Sequence, residues 1–199
     1  MEPNKTTLGL ELPTDPRWVN IAEKNLEEIL IDHAYCEQKA ASTCISLIVS
    51  FPDHDKLVQV LTPIVAEEWA HFELVLSHMN KRGYKLGQKR KDEYVVRLHN
   101  ELKKGGSREQ QLVERLLISA LIEARSCERF KLLYKNLQDE ELQRFYYDLM
   151  VSEAGHYHAF IDLAKEYFDE DKVEVRWREF LKAEADIMKQ LEPRPDRMH

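Results

Sequence analysis

Apolar residues recur along this chain at intervals of three and four, as on one face of an α-helix, and no stretch shows the strict alternation of a half-buried strand. Asp15-Pro16 supplies an N-cap and a first-turn proline. A helical pattern then runs from Arg17 to about Ser50, with a break expected near Ile31 to His33, where Asp32 can begin a second helix. Phe51-Pro52-Asp53 ends it, and a short segment from Asp55 leads to Thr62-Pro63, read as another cap-and-proline start. That helix extends to about Lys81, before Gly83, and a short one follows from Asp92 to about Lys103. Gly105-Gly106 interrupts the chain, and Ser107 with Gln110 forms a capping box for a helix reaching about Asn136. Asp139 caps the next, to about Phe168. A last amphipathic helix covers about Lys172 to Leu191, with Val175, Phe180, Ile187 and Leu191 on its apolar positions, and the tail from Pro193 to His199 is expected to be loose. The pattern predicts an all-α fold: one domain over residues 1–199, a four-helix bundle at about 32–168, and accessory helices at the N-terminus, at about 92–103 and at about 172–191.

The chemistry lies in a repeat within those helices. Glu37 is followed 31 positions later by Glu68-Trp69-Ala70-His71, and Glu123 is followed 30 positions later by Glu153-Ala154-Gly155-His156. On a helix, positions i and i+3 share a face, so each Glu-x-x-His presents a carboxylate and an imidazole to one point. The flanks repeat as well: Lys39 and Arg125 each stand two residues after the lone Glu, and Phe72 and Tyr157 each follow the His. A single Glu-x-x-His is a weak motif. Two of them, each preceded by a Glu at the distance of one helix hairpin, form an internal repeat. A Glu on a helix is ordinarily solvated, yet Ile118, Leu121, Ile122, Leu149 and Phe160 surround one set, and Val65, Phe72 and Val75 the other. Charges on an apolar face are costly unless paired or metal-bound. Glu37, Glu68, His71, Glu123, Glu153 and His156 are therefore read as metal ligands, one Glu from each of two helices and a Glu-x-x-His from each of two more, as in di-iron carboxylate bundles. Four carboxylates and two imidazoles suit iron or manganese and leave positions open for oxygen.

Composition narrows the setting. Hydrophobic residues make up 43% of the 199 and charged residues 33%, as in a helical soluble protein. No apolar run reaches the ~18 residues of a membrane span, and Met1 to Leu12 has no signal-peptide pattern. Cys36, Cys44 and Cys127 are scattered and odd in number, which reads as reduced thiols in a cytoplasm. The net charge of −7 marks no general polyanion binder, so any nucleic-acid contact must be local. The one basic stretch is the loop from Lys81 to Lys91, with Lys81, Arg82, Lys85, Lys89, Arg90 and Lys91 and with Tyr84 available to stack. Lys103, Lys104 and Arg108 form a thinner cluster. His33, Lys39 and Arg125 are candidates to orient ligand carboxylates from behind.

At these residues the chain resembles the ferritin-like di-iron superfamily over about Asp32 to Phe168. More narrowly it resembles the tRNA 2-methylthio-N6-isopentenyladenosine hydroxylases, in its length, in Cys36-Glu37-Gln38-Lys39-Ala40-Ala41, in Glu67-Glu68-Trp69-Ala70-His71-Phe72-Glu73 and in Ser152-Glu153-Ala154-Gly155-His156-Tyr157. The resemblance implies a non-haem di-iron monooxygenase that hydroxylates the isopentenyl group of a hypermodified adenosine next to the tRNA anticodon. It implies two iron ions, dioxygen as co-substrate and tRNA as partner. The chain carries no glycine fingerprint for a flavin or nicotinamide, so an external reductase is expected to supply electrons. Glu68 and Glu153 are expected to bridge and Glu37 and Glu123 to be terminal, although spacing leaves those roles open. Monomer and dimer both stay open. The same ligands would serve an oxidase of a small or lipid-like molecule, or ferritin-type iron oxidation and storage.

Overall fold

The computed structural model describes residues 7–89 and 91–198. Among them the chain is all-helical, with seven α-helices, no strand, and no helix long and apolar enough to cross a membrane. The described residues divide into two compact units, Asn20–Lys91 with Arg194–Met198, and those up to Val19 with Asp92–Pro193.

In the first unit, α1 (Arg17–Lys24, its end belonging to this unit) gives way to α2 (Leu26–Ser50). The break falls at Asn25, with φ −129° and ψ 39°, and not at Ile31–His33. Asp32 starts no helix because its carboxylate is used elsewhere: it is buried, accepts the Met198 backbone N–H at 2.8 Å and stands 3.9 Å from Arg197. The tail expected to be loose is thereby held, with Met198 fully buried and Arg197 donating to the Lys91 carbonyl at 3.1 Å. His199 lies outside the described residues.

α3 (Asp55–Lys81) passes uninterrupted through Pro63, so Thr62-Pro63 is no helix start. An internal proline costs about 3 kcal/mol. Pro63 stands on the exposed side while Leu57, Leu61, Ile64 and Glu68 continue one buried face across it. Burying Leu61 and Ile64 contributes roughly 1.5–3 kcal/mol each, enough to carry the helix through. The four residues between α2 and α3 leave room only for a reversal, so the two pack as an antiparallel hairpin. After α3, Gly83 adopts φ +74°, the left-handed turn of a helix C-cap, and the chain returns over α2, where Tyr35 Oη donates to the Gly87 carbonyl at 2.9 Å.

The second unit holds α4 (Glu93–Asn100), α5 (Arg108–Asn136), α6 (Glu140–Tyr167) and α7 (Glu170–Gln190). Asp92, Ser107, Asp139 and Asp169 each cap a helix through a side-chain oxygen, with the Ser107–Gln110 capping box formed in both directions. α4 stops short of Lys103, whose backbone N–H donates to Glu114 at 2.8 Å. α5 and α6, joined by three residues, form the second antiparallel hairpin. α7 buries Val173, Phe180, Leu181, Ala185 and Ile187. Val175, placed on that face by the sequence pattern, is 52% exposed, and a carboxylate, Glu184, occupies the buried stripe in full.

Candidate metal centre

The first hairpin brings Glu37 of α2 together with Glu68 and His71 of α3. One ligand-capable atom of each lies within 4.8 Å of the others. His71 Nδ1 is 3.6 Å from Glu37 and 3.7 Å from Glu68. Both carboxylates are almost fully buried, whereas the His71 side chain keeps 12% exposure. His33, one turn before Glu37, is fully buried, and its Nε2 lies 2.5 Å from Glu37 Oε1. It is no surface histidine; it holds one oxygen of Glu37 while the other faces His71.

The second hairpin does the same with Glu123 of α5 and with Glu153 and His156 of α6, again within 4.8 Å of one another. His156 Nδ1 is 3.2 Å from Glu153 Oε2, and its Nε2 faces Ser152 Oγ at 3.5 Å. All three ligand candidates are buried. Nδ1 is thus the nitrogen turned toward the carboxylates in both hairpins. An ion with bonds of ~2.1 Å reaches donors about 4 Å apart. Each hairpin therefore offers a metal-sized group of two hard oxygen donors and one imidazole, in surroundings where unneutralised carboxylates would be costly. The residues fit a metal site.

Behind the second hairpin lies a buried ionic cluster. Arg125, fully buried, donates to Glu184 at 2.6 Å, to Glu128, to Thr14 Oγ1 at 3.1 Å and to the Leu12 carbonyl at 2.9 Å. Thr14 Oγ1 also donates to Glu128, and Tyr94 Oη to Glu184 at 3.2 Å. Burial works against the Arg125 charge, but Glu184, Tyr94 and Glu128 outweigh it and raise its pKa. Burial raises Glu184 despite Arg125. Arg129, stacked over Trp18 at 4.1 Å, is pushed down to about 9 by burial and then by the charge of Arg125. Glu128 is thus committed to Arg125. The sequence signal for Glu184 is the helical stripe of residues 173, 180, 184 and 187, which carries a carboxylate among apolar side chains.

The remaining candidates scatter. Lys39 is half-buried. In the basic loop Lys81, Lys85, Lys89 and Lys91 are exposed, Arg82 and Tyr84 half-buried, and Arg90 lies outside the described residues. Tyr35, the loop's anchor, is two residues from Glu37.

Fold and donor set together define the class, an all-α protein of the ferritin-like kind with carboxylate–histidine groups compatible with metal. A solved structure of "Protein 43 with aldehyde deformylating oxygenase activity from Synechococcus" superposes with a TM-score of 0.90 and 33% identity, covering 96% of this chain and 94% of that one. Residues 2–199 match the family described as tRNA-(MS[2]IO[6]A)-hydroxylase (MiaE). A tRNA 2-(methylsulfanyl)-N(6)-isopentenyladenosine(37) hydroxylase of Pseudomonas putida is 42% identical over 167 residues, 81% of this chain and 77% of the relative. One of Salmonella typhimurium with the same description is 29% identical, over 90% of this chain and 83% of its own length. The chain belongs to this tRNA hydroxylase family.

Proposed function

We propose that the chain is an oxygen-dependent, non-haem di-iron monooxygenase that hydroxylates the isopentenyl group of 2-methylthio-N6-isopentenyladenosine in tRNA, next to the anticodon. The observation that carries this reading is the duplicated buried Glu/Glu/His set in a chain matching the hydroxylase family over residues 2–199. On this reading the two hairpins make one ferritin-like domain, and Glu37, Glu68 and His71 share one centre with Glu123, Glu153 and His156. Two iron ions fill it, and manganese would suit the same donors. Once bound, the metal pair supplies dioxygen activation, which no side chain provides.

The protein's own part is positioning and dryness. His33 fixes the Glu37 carboxylate through Oε1, and Ser152 faces the outer nitrogen of His156, so both ligands meet the metal in a set orientation. Leu121, Leu149 and Phe160, all buried, keep bulk water from the second hairpin's donors. The modified base has to leave its stack to bring the isopentenyl group to the donors. The loop of Lys81, Arg82, Tyr84, Lys85, Lys89, Arg90 and Lys91 is the proposed RNA contact, supported by its exposed lysines and its anchoring beside Glu37. Electrons come from a separate reductase, the setting is cytoplasmic, and the chain acts as a monomer or dimer.

The test is a mass-spectrometric nucleoside digest of tRNA from cells with and without the protein. A gain of one oxygen on the methylthio-isopentenyl adenosine, present only with the protein, is the expected result. An unchanged nucleoside, with two irons bound per chain, would overturn the tRNA reading and turn the search to small-molecule substrates.

A further inference from the structure

A groove of about 520 Å³ opens in the second unit, between the Lys103–Gly106 turn, the first turns of α5 and the start of α7. Its apolar lining comes from Val113, the half-buried Phe168 and Val175, which is 52% exposed. Four cations and three acids line the same walls. Two cations are already neutralised, Lys103 by Glu179 at 2.7 Å and Arg176 by Glu114 at 2.6 Å. Asp171 sits on the first turn of α7, where a carboxylate complements the helix dipole. Lys104 and Lys172 are exposed and form no ion pair among the described residues, and Lys172 Nζ stands 5.7 Å from the Phe168 ring centre. In a chain of net charge −7, uncommitted cations beside an aromatic ring in a concave wall call for a ligand with a negative group and a flat apolar one.

An RNA nucleotide has both parts. Bases stack on aromatic side chains in a sequence-tolerant way, and phosphates take lysines. The volume lies in the small-ligand range of about 300–1,000 Å³. Along α5, Val113 stands ten residues before Glu123, about 15 Å at 1.5 Å per residue. Along α6, His156 stands twelve residues before Phe168, about 18 Å. An occupant of the groove is therefore not the base that reacts. We infer that the groove seats a nucleotide of the substrate RNA some positions away from the modified adenosine, its base against Phe168 and Val175 and its phosphate between Lys104 and Lys172. This rests on the tRNA-hydroxylase reading and extends it to a second contact, on a different hairpin from the Lys81–Lys91 loop.

The experiment measures binding of the full-length, iron-loaded protein to tRNA carrying methylthio-isopentenyl adenosine, by fluorescence anisotropy across a salt series. K104A/K172A is expected to weaken binding about tenfold near 0.1 M salt. It should also flatten the plot of log affinity against log salt by about 0.7–0.9 for each phosphate that the two lysines neutralise. F168A is expected to weaken binding roughly fivefold or more, and F168Y, which keeps the ring, to restore it. Unchanged affinity and salt slope in K104A/K172A would overturn the inference. So would unchanged tRNA binding with impaired reductase-driven turnover, which would assign the groove to an acidic protein partner. Failure of the wild-type protein to bind this tRNA would instead sink the tRNA reading itself.

Discussion

The two helix hairpins carry the same donors at nearly the same spacing and differ in almost everything behind them. In α2/α3 the position four before the lone Glu is His33, fully buried and in contact with Glu37. In α5/α6 it is Ser119, whose hydroxyl donates to its own helix at Arg115. Two residues after the lone Glu stands the half-buried Lys39 in one and the fully buried Arg125, held by Glu128 and Glu184, in the other. His71 keeps 12% exposure where His156 keeps 4%. The difference follows from what covers each hairpin within its own unit. α7 and the segment around Thr14 bury the outside of α5, so a cation there needs carboxylates. The first unit covers α2 with a loop and the chain's tail, held through Tyr35 and Asp32. Helix geometry preserves the donors; local cover decides their supports.

The largest expected effect tests what the hairpins share. His71→Ala and His156→Ala should each lower turnover by more than the 10–100-fold typical of groups behind a ligand. Each should also reduce bound metal, read by elemental analysis of the purified protein. If only one variant lost metal, the two sets would not be equivalent halves of one centre. Next in size is the contrast at the repeated basic position. Arg125→Leu strips the buried Glu128 and Glu184 of their shared cation and should cost about 3–5 kcal/mol of stability in denaturant unfolding. Lys39→Leu, at the half-buried counterpart, should stay within about 0.5 kcal/mol. A cost for Arg125→Leu as small as that of Lys39→Leu would mean that the buried cluster adds no more stability than a surface ion pair.

Much of this was legible in the sequence because helix signals are local. The Ser107–Gln110 box and the Asp139 cap formed where their residues predicted. The pairing of Glu68 with His71 and of Glu153 with His156 could be read because i and i+3 share a helix face whatever the tertiary structure. The misreadings came from residues whose local signal was overruled by distant partners. Asp32 resembles a cap but binds the Met198 amide, 166 positions away. Pro63 resembles a helix start but lies outside a continuous buried face. Val175 fits an apolar stripe whose register is in fact set by Val173, Phe180 and Ile187. Glu184 carries no local signal, because a charge is not ordinarily placed in a core and its partner Arg125 stands 59 residues earlier.

Smaller effects sharpen the comparison further. His33→Ala removes a contact present only in the first hairpin, and a 10–100-fold loss in metal affinity or activity is expected. Ser119→Ala, the matching change in the second, should leave both unchanged. Equal losses would place the two positions in the same role despite their different partners.

The mildest probe alters no residue. Cys127 lies one turn after Glu123, is buried, and has a thiol pushed up to about 12 by burial and then by the nearby Glu153 charge. Cys36, next to Glu37 in the first hairpin, is half-buried. Only the thiolate reacts with an alkylating reagent. Raising an acid's pKa keeps it protonated to higher pH, so at pH 8 Cys127 is held almost wholly as the unreactive thiol. The folded protein at pH 8 should therefore be alkylated by iodoacetamide at Cys36 first, with Cys127 and the buried Cys44 modified only on unfolding, as peptide mapping would show. Early labelling of Cys127 would mean that the second hairpin opens more readily than the first, reversing the order of protection that His71 and His156 display.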